Sequence, residues 1–141
     1  MDKKLQGKLY KRYPELFRQR KLPMNKTAMC WNFQHGDGWF NLLGFMCQWI
    51  DWNMKKNSHC YPQIEFNTIK EKFGQLRVYI DVPKCSKEQQ SGLDEIRGVI
   101  SFVQAMSGHV CEICGKAGKT RCIDKWYKTR CDEHSKERRK R

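Results

Sequence analysis

The segment from residue 111 to residue 134, CEICGKAGKTRCIDKWYKTRCDEH, constrains the fold of this chain more than any other feature. Cys111 and Cys114 are separated by two residues, and Cys131 and His134 have the same spacing. Sixteen residues lie between the two pairs. Two short pairs separated by about 15–20 residues are typical of a structural zinc ribbon. The sequence therefore predicts one zinc ion bound by Cys111, Cys114, Cys131 and His134.

The chemistry of these four residues predicts a structural role for the metal. Three thiolates and one imidazole close a tetrahedral shell, so no position is left for a reactive water. The segment contains little apolar surface, and we expect metal binding to supply much of its folding free energy. Two alternative ligands remain open: Cys122 in place of Cys131, and His109 in place of His134.

The cysteine content also bears on the compartment. The chain has eight cysteines, and its basic N-terminus, MDKKLQGKLYKRYPELFRQRK, is not followed by the apolar run of a signal peptide. No stretch approaches the roughly 20 apolar residues of a membrane span. We therefore expect a cytoplasmic protein without membrane contact, in which thiols bind metal rather than form disulfides.

Hydrophobic periodicity predicts the remaining elements. Residues 39–54 have helical spacing after a possible N-cap at Asp37, and residues 63–82 alternate as two strands around a turn at KEKFG, where Gly74 can adopt a positive φ. A second amphipathic helix starts between residues 86 and 91 and ends before Gly108. The predicted fold class is α+β: a β-hairpin, or a small antiparallel sheet with a third strand, packed with two amphipathic helices and followed by a C-terminal zinc ribbon.

Charge follows the predicted domain organisation. We expect a basic N-terminal arm (1–28), an α+β core (29–108), the zinc ribbon (109–134) and a disordered basic tail (135–141). The net charge of +13 divides into +7 for residues 1–34, zero for residues 35–110 and +6 for residues 111–141. Basic ends favour polyanionic partners, which include nucleic acid and acidic proteins.

The ribbon interleaves basic and aromatic residues, a pattern that suits nucleic acid because cations meet phosphates and rings stack on bases. We expect Trp126 itself to pack the ribbon against the hairpin. The predicted nucleic-acid contacts are Lys116, Lys119, Arg121, Lys125, Lys128, Arg130, Arg138 and Arg139.

Three sequence blocks together resemble a family of small uncharacterised proteins of bacteria and their phages. The blocks are GDGW before an apolar helix, IKEKFGQLRVYI, and CEICGKAGK followed by TRCDEH; they cover residues 29–134. The resemblance implies the same four metal ligands and a phage or prophage origin, and it implies no activity. A small phage protein could act by binding and blocking a host factor.

Three functions follow as hypotheses. The first is a non-enzymatic protein that binds DNA or RNA through its basic ends. The second is a phage-encoded inhibitor of a host or defence factor with an acidic surface, and a homodimer is possible if the 39–54 helix exposes its aromatic residues. The third and weakest is a metal-dependent nuclease with His35 or His59 as base. Cys30, His35 and Asp37 also lie close together in the sequence, and Cys30 with His35 could form a catalytic Cys–His pair. We instead expect this segment to be a loop that leads into the 39–54 helix.

Overall fold

The computed structural model describes residues 1–136 and has the predicted α+β architecture. Its helices are α1 (Lys3–Arg12), α2 (Phe40–Lys56), α3 (Gln90–Ser107) and α4 (Asp132–Ser135). Its strands are β1 (Glu65–Lys72), β2 (Gln75–Asp81), β3 (Lys119–Ile123) and β4 (Trp126–Arg130). Short 3₁₀ helices span Arg18–Lys21, Met29–Trp31 and Asp37–Trp39.

The strands form two separate antiparallel hairpins, β1–β2 and β3–β4. The β1–β2 turn has positive φ at both Phe73 (55°) and Gly74 (79°), the backbone of a two-residue turn that matches strand twist. The second hairpin turns in the same way at Asp124 and Lys125. Gly74 thus has the positive φ that the sequence predicts.

The β1–β2 sheet has two strands among the described residues because other segments cover both of its edges. Along β2, the side chains of Gln104 and Ser107 in α3 accept hydrogen bonds from the backbone N–H groups of Val78 and Leu76, both at 2.8 Å. Along β1, the backbone of the N-terminal region binds in the same way, as the Phe66 N–H donates to the Leu16 carbonyl at 2.8 Å. Covered edges do not accept a further strand.

The core lies between the inner face of β1–β2 and the apolar faces of α2 and α3. Leu76 and Phe66 from the hairpin, Leu43 from α2 and Ile96 from α3 are all fully buried. The N-terminal region joins this core, since Leu9, Tyr13, Leu16 and Phe17 are buried in the same cluster.

The start of α2 differs from the sequence prediction. Helix α2 begins at Phe40, two residues later than an Asp37 cap requires, and no side chain caps it. The carboxylate of Asp37 instead accepts a hydrogen bond from the backbone N–H of Asp2, at 2.6 Å. The Asp37 cap is therefore wrong, because residues 37–39 form a 3₁₀ turn, in which the N–H of Gly38 donates to the carbonyl of Glu112.

Candidate metal centre

The four predicted ligands converge on one point in the structure. The three thiol sulfurs of Cys111, Cys114 and Cys131 and one imidazole nitrogen of His134 all lie within 4.8 Å of one another. This group is the one assembly of three or more Cys, His, Asp or Glu side chains in residues 1–136 that could hold a metal ion. Cys122 and His109 are exposed and do not belong to it.

Three of the six distances between the ligand atoms are known and are close to those around a tetrahedral ion. With metal–sulfur bonds of about 2.3 Å and metal–nitrogen bonds of about 2.05 Å, a tetrahedron has S–S edges of about 3.8 Å and S–N edges of about 3.6 Å. The Cys114 and Cys131 sulfurs are 3.9 Å apart. The Nδ1 atom of His134 is 3.6 Å from the Cys111 sulfur and 3.2 Å from the Cys131 sulfur.

A tight backbone turn places the first pair of cysteines. The N–H of Gly115 donates to the carbonyl of Cys111 at 2.9 Å, and the N–H of Cys111 donates to the carbonyl of Lys116 at 2.8 Å. Gly115 has φ +77°, a conformation that suits glycine because it has no Cβ. The second pair spans the end of β4 and the first turn of α4, where the Ser135 N–H donates to the Cys131 carbonyl.

The backbone around Cys111 and Cys131 favours the thiolate form of these two side chains. At Cys114 a backbone hydrogen bond lowers the pKa of the thiol, but burial and the neighbouring Cys111 and Cys131 sulfurs outweigh it and raise that pKa. Burial raises the pKa of the Cys111 thiol, but hydrogen bonds from the backbone of Cys131, Cys114 and Ile113 outweigh burial and lower that pKa to about 6. A backbone hydrogen bond at His134 lowers the pKa of the Cys131 thiol. Thiolates are the form in which cysteine binds a metal.

The GDGW segment packs directly on the Cys111–Cys114 turn. The N–H of Gly38 donates to the carbonyl of Glu112 at 2.8 Å, and the indole N–H of the fully buried Trp39 donates to the carbonyl of Val110 at 2.8 Å. A Cβ on Gly38 would lie 2.0 Å from the carbonyl oxygen of Cys111. The glycine is required at this position because two backbones meet there.

A buried ion pair lies at this junction. The carboxylate of Glu112 binds the guanidinium of Arg130 at 2.9 Å and also accepts a hydrogen bond from the N–H of Gly36 at 3.1 Å. The Glu112 side chain is 8 % exposed and that of Arg130 is 15 % exposed. The only feature of the sequence that indicates this contact is the position of Glu112, an acidic residue between Cys111 and Cys114.

The turn of the β1–β2 hairpin contacts the other side of the ribbon. The hydroxyl of Thr129 donates to the carbonyl of Gly74 at 2.5 Å, and Lys128 binds Glu71 at 2.6 Å. The β3–β4 hairpin therefore lies between the metal ligands and the KEKFG turn.

Most of the predicted nucleic-acid contacts in the ribbon are ion-paired within the chain. Besides Lys128 and Arg130, Lys116 binds Glu133 at 3.1 Å and Arg121 binds Asp132. Lys119 and Lys125 form no ion pair with any residue that the structure describes. Arg138 and Arg139 lie outside the described residues, as does most of the predicted tail.

The expected packing of Trp126 is wrong. Its side chain is 61 % exposed, and that of Tyr127 is 55 % exposed. Trp126 pairs with Ile123 at the turn end of β3–β4, whereas the contact with β1–β2 is made further along by Thr120, Lys128 and Thr129. The register of the hairpin thus carries Trp126 away from the core.

Cys30, His35 and Asp37 do not form a metal or nucleophile site. The Cys30 thiol donates to the carbonyl of Thr27, and Asp37 binds the backbone of Asp2. His35 is 6 % exposed, and burial lowers its pKa to about 4. The other histidine considered as a nuclease base, His59, is exposed and belongs to no group of metal-binding side chains in the described part of the chain.

Comparison with protein-family models, curated proteins and solved structures found no match to this chain. Within residues 1–136, no helix has the length and apolar character needed to cross a membrane.

Proposed function

We propose that this protein binds nucleic acid, and that one zinc ion stabilises its C-terminal ribbon (109–134). Zinc is the metal that best suits the site, because a compact tetrahedral set of three thiolates and one imidazole matches its preferred ligands and geometry. The closed shell gives the ion a structural role.

The observation that carries the proposal is the imbalance of charge in the N-terminal region. Residues 1–34 contain nine Lys and Arg residues, and only Arg18 forms an ion pair with a residue that the structure describes. Along α1, the exposed side chains of Lys4, Lys8 and Lys11 have spacings of four and three residues, so they lie on one face. Cations without acidic neighbours are the groups that release counterions when they bind phosphate.

The test is a salt titration of binding to labelled single- and double-stranded DNA and RNA, with zinc-loaded full-length protein. The variant Lys4→Gln/Lys8→Gln/Lys11→Gln should bind more weakly and lower the slope of log K against log salt by about 2–3. A matched variant, Lys56→Gln/Lys84→Gln/Lys87→Gln, loses the same charge elsewhere and should keep the slope. Absence of binding near physiological salt, or equal effects of both variants, would contradict the proposal.

A second candidate function, binding of an acidic protein partner, has support from a groove between α1 and α2. The groove has a volume of about 670 Å³. Phe45 on its wall is 72 % exposed, and Trp52, seven residues later on α2, is 57 % exposed. Lys8 and Lys11 lie along its edge. An apolar surface flanked by cations fits an acidic amphipathic helix of a partner protein. A phage-encoded inhibitor could use this groove to bind such a helix on a host factor.

A second copy of this chain fits the groove less well, because its edge is basic and each copy carries a net charge of +13. Sedimentation at about 100 μM should therefore find a monomer. An acidic amphipathic helical peptide should bind wild-type protein and lose affinity for Phe45→Glu. A homodimer that the same substitution dissociates would show that the groove instead takes a second copy.

A further inference from the structure

The outward face of the β1–β2 hairpin exposes aromatic rings beside cations. In the strand register, Lys70 pairs with Arg77, Lys72 pairs with Gln75, and Tyr79 lies two residues beyond Arg77. Residues two apart on a strand share a face. Tyr79 is 51 % exposed, and Phe73 in the turn is 65 % exposed. We call Lys70, Lys72, Phe73, Arg77 and Tyr79 the hairpin platform.

The cations of the hairpin platform are not neutralised within the described residues. Lys70, Lys72 and Arg77 form no ion pair there. Arg77 donates to the amide oxygen of Gln75 and to the carbonyl of Leu76, which orient the guanidinium without cancelling its charge. Glu71 lies between the two lysines in sequence but binds Lys128 of the ribbon.

Apart from Glu71, which binds Lys128, the acidic residues of the hairpin are at its opposite end. Glu65 and Asp81 pair with each other in the register, and both accept hydrogen bonds from the side-chain amide of Gln19. Residues 35–110 contain equal numbers of acidic residues and of lysines and arginines. Within the β1–β2 hairpin, the fold places Lys70, Lys72 and Arg77 toward the turn and the Glu65–Asp81 pair at the other end, so that the turn end of the hairpin is basic.

Phe73 is costly for folding. Its φ is 55°, in the left-handed region where a bulky side chain is unfavourable, and the two positions of such a turn favour Asn, Asp and Gly. Because the ring is mostly exposed, it gains little from burial. A residue that is strained in the fold, and whose ring is not buried in exchange, gives reason to look for a functional role.

Each ring has a cation beside it. The Lys70 ammonium is 6.0 Å from the centre of the Tyr79 ring, and the Lys72 ammonium is 5.4 Å from the centre of the Phe73 ring. Along the hairpin, Phe73 and Tyr79 are about five residue positions apart, which corresponds to about 17 Å at a rise of about 3.4 Å per residue. The two rings are therefore placed to meet different bases, each next to a cation that can meet a phosphate.

We propose that the hairpin platform binds single-stranded nucleic acid, with bases stacked on Tyr79 and Phe73 and phosphates held by Lys70, Lys72 and Arg77. This inference rests on the proposed nucleic-acid function and assigns it a second surface, on the hairpin rather than on α1. A single strand is required because the bases of a duplex cover each other's faces, whereas an unpaired base can stack on a side chain.

The experiment measures anisotropy of labelled oligo-dT and oligo-U 12-mers, and of a DNA duplex, with zinc-loaded full-length protein. Base–ring stacking corresponds to roughly 5- to 150-fold in affinity for each base. Tyr79→Ala and Phe73→Asn should each weaken single-strand binding by about tenfold and leave duplex binding nearly unchanged. Tyr79→Phe keeps the ring and should recover most of the affinity lost in Tyr79→Ala.

Three controls separate stacking on these two rings from a loss of folding, from the effect of any exposed ring, and from charge. Phe73→Asn places a residue that the turn favours, so its unfolding midpoint should equal or exceed that of the wild type. Tyr127→Ala removes a ring of similar exposure on the other hairpin and should keep single-strand affinity. Lys70→Gln/Lys72→Gln should lower the single-strand salt slope by about 1.4.

The outcomes distinguish this inference from the proposed function. If the ring variants bind single strands as wild type does while the α1 lysine variant loses affinity, the hairpin platform is refuted and the proposed function stands. The same holds if Tyr127→Ala, rather than Tyr79→Ala, removes single-strand binding. If poly-glutamate competes as well as oligo-dT and the ring variants do not alter that competition, the surface binds an acidic protein and the inference fails.

Discussion

Substitution of Gly38 by alanine tests whether the GDGW segment and the metal centre depend on each other. The added Cβ would lie 2.0 Å from the carbonyl oxygen of Cys111 and 2.5 Å from the backbone nitrogen of Gly115, where ordinary contact begins at 3.4 Å. The segment must therefore move by more than 1 Å. That movement breaks the 2.8 Å hydrogen bond from the Gly38 N–H to Glu112 and strains the one from Trp39 to Val110.

The cost follows from these contacts. Overpacking of a tight interface costs about 1–3 kcal/mol, and a buried hydrogen bond left unmade costs about 1–3 kcal/mol. We expect Gly38→Ala to lower the free energy of unfolding of the zinc-loaded protein by about 3 kcal/mol. If the substitution destabilises only the metal-bound form, the apparent zinc affinity should fall by about 100-fold, because each 1.4 kcal/mol changes a binding constant about tenfold.

The assay combines urea unfolding, with zinc and with chelator, and a zinc titration against a competing chelating dye. Gly98→Ala is the matched control, because a Cβ there has no atom within 4 Å and the residue lies inside α3. It should stabilise the protein by about 0.5–1 kcal/mol and leave zinc affinity unchanged. If Gly38→Ala behaves like Gly98→Ala in both measurements, the docking of the GDGW segment on the metal-binding turn is refuted.

Two further predictions concern charged groups. Glu112→Ala leaves Arg130 buried without its partner, so it should lower the free energy of unfolding by about 3–5 kcal/mol. The control Asp94→Ala breaks an exposed pair with Arg97 and should lower the free energy of unfolding by less than about 1 kcal/mol. Equal losses for the two variants in urea unfolding would contradict this prediction. His35 has a folded pKa of about 4, below its unfolded value of about 6.5, so the unfolded chain binds the proton first and stability should fall by up to about 3 kcal/mol as pH drops through that window. The variant His35→Phe, compared at the same zinc saturation, should lack this part of the pH dependence, and an unchanged slope would argue against a buried neutral imidazole.

The parts of the fold that the sequence predicts well are those that local chemistry determines. A two-residue spacing lets Cys111 and Cys114 bind one ion through a single turn, so the ligand pairs can be read from the chain before any tertiary contact is known. The alternation of β2 and the period of α3 are likewise local, because each buries one face of one element. The helix ending before Gly108 and the positive φ of Gly74 belong to the same class.

The parts that the sequence does not predict depend on contacts between distant segments. Gly36 and Gly38 look like the entry to a helix, but they approach Glu112 and Cys111, more than 70 residues away. The amino-acid composition gives the number of lysines and arginines in the ribbon, but it does not show that most of them form ion pairs with acidic residues. The exposure of Trp126 depends on hairpin register, which pairs it with Ile123 rather than with the core.

The metal centre and the hairpin platform are distant in sequence but are joined in the structure by the ribbon. Strand β4 ends at Arg130, immediately before the candidate ligand Cys131. Within β4, Arg130 binds Glu112, Thr129 binds the carbonyl of Gly74, and Lys128 binds Glu71. The contacts at Gly74 and Glu71 fix the turn that presents Phe73. A structural zinc ion would therefore act on nucleic-acid binding without touching the nucleic acid, because loss of the metal releases the strand that holds the turn. On this argument chelation should weaken single-strand binding by wild type much more than binding by Phe73→Asn, in which the turn no longer supplies a ring.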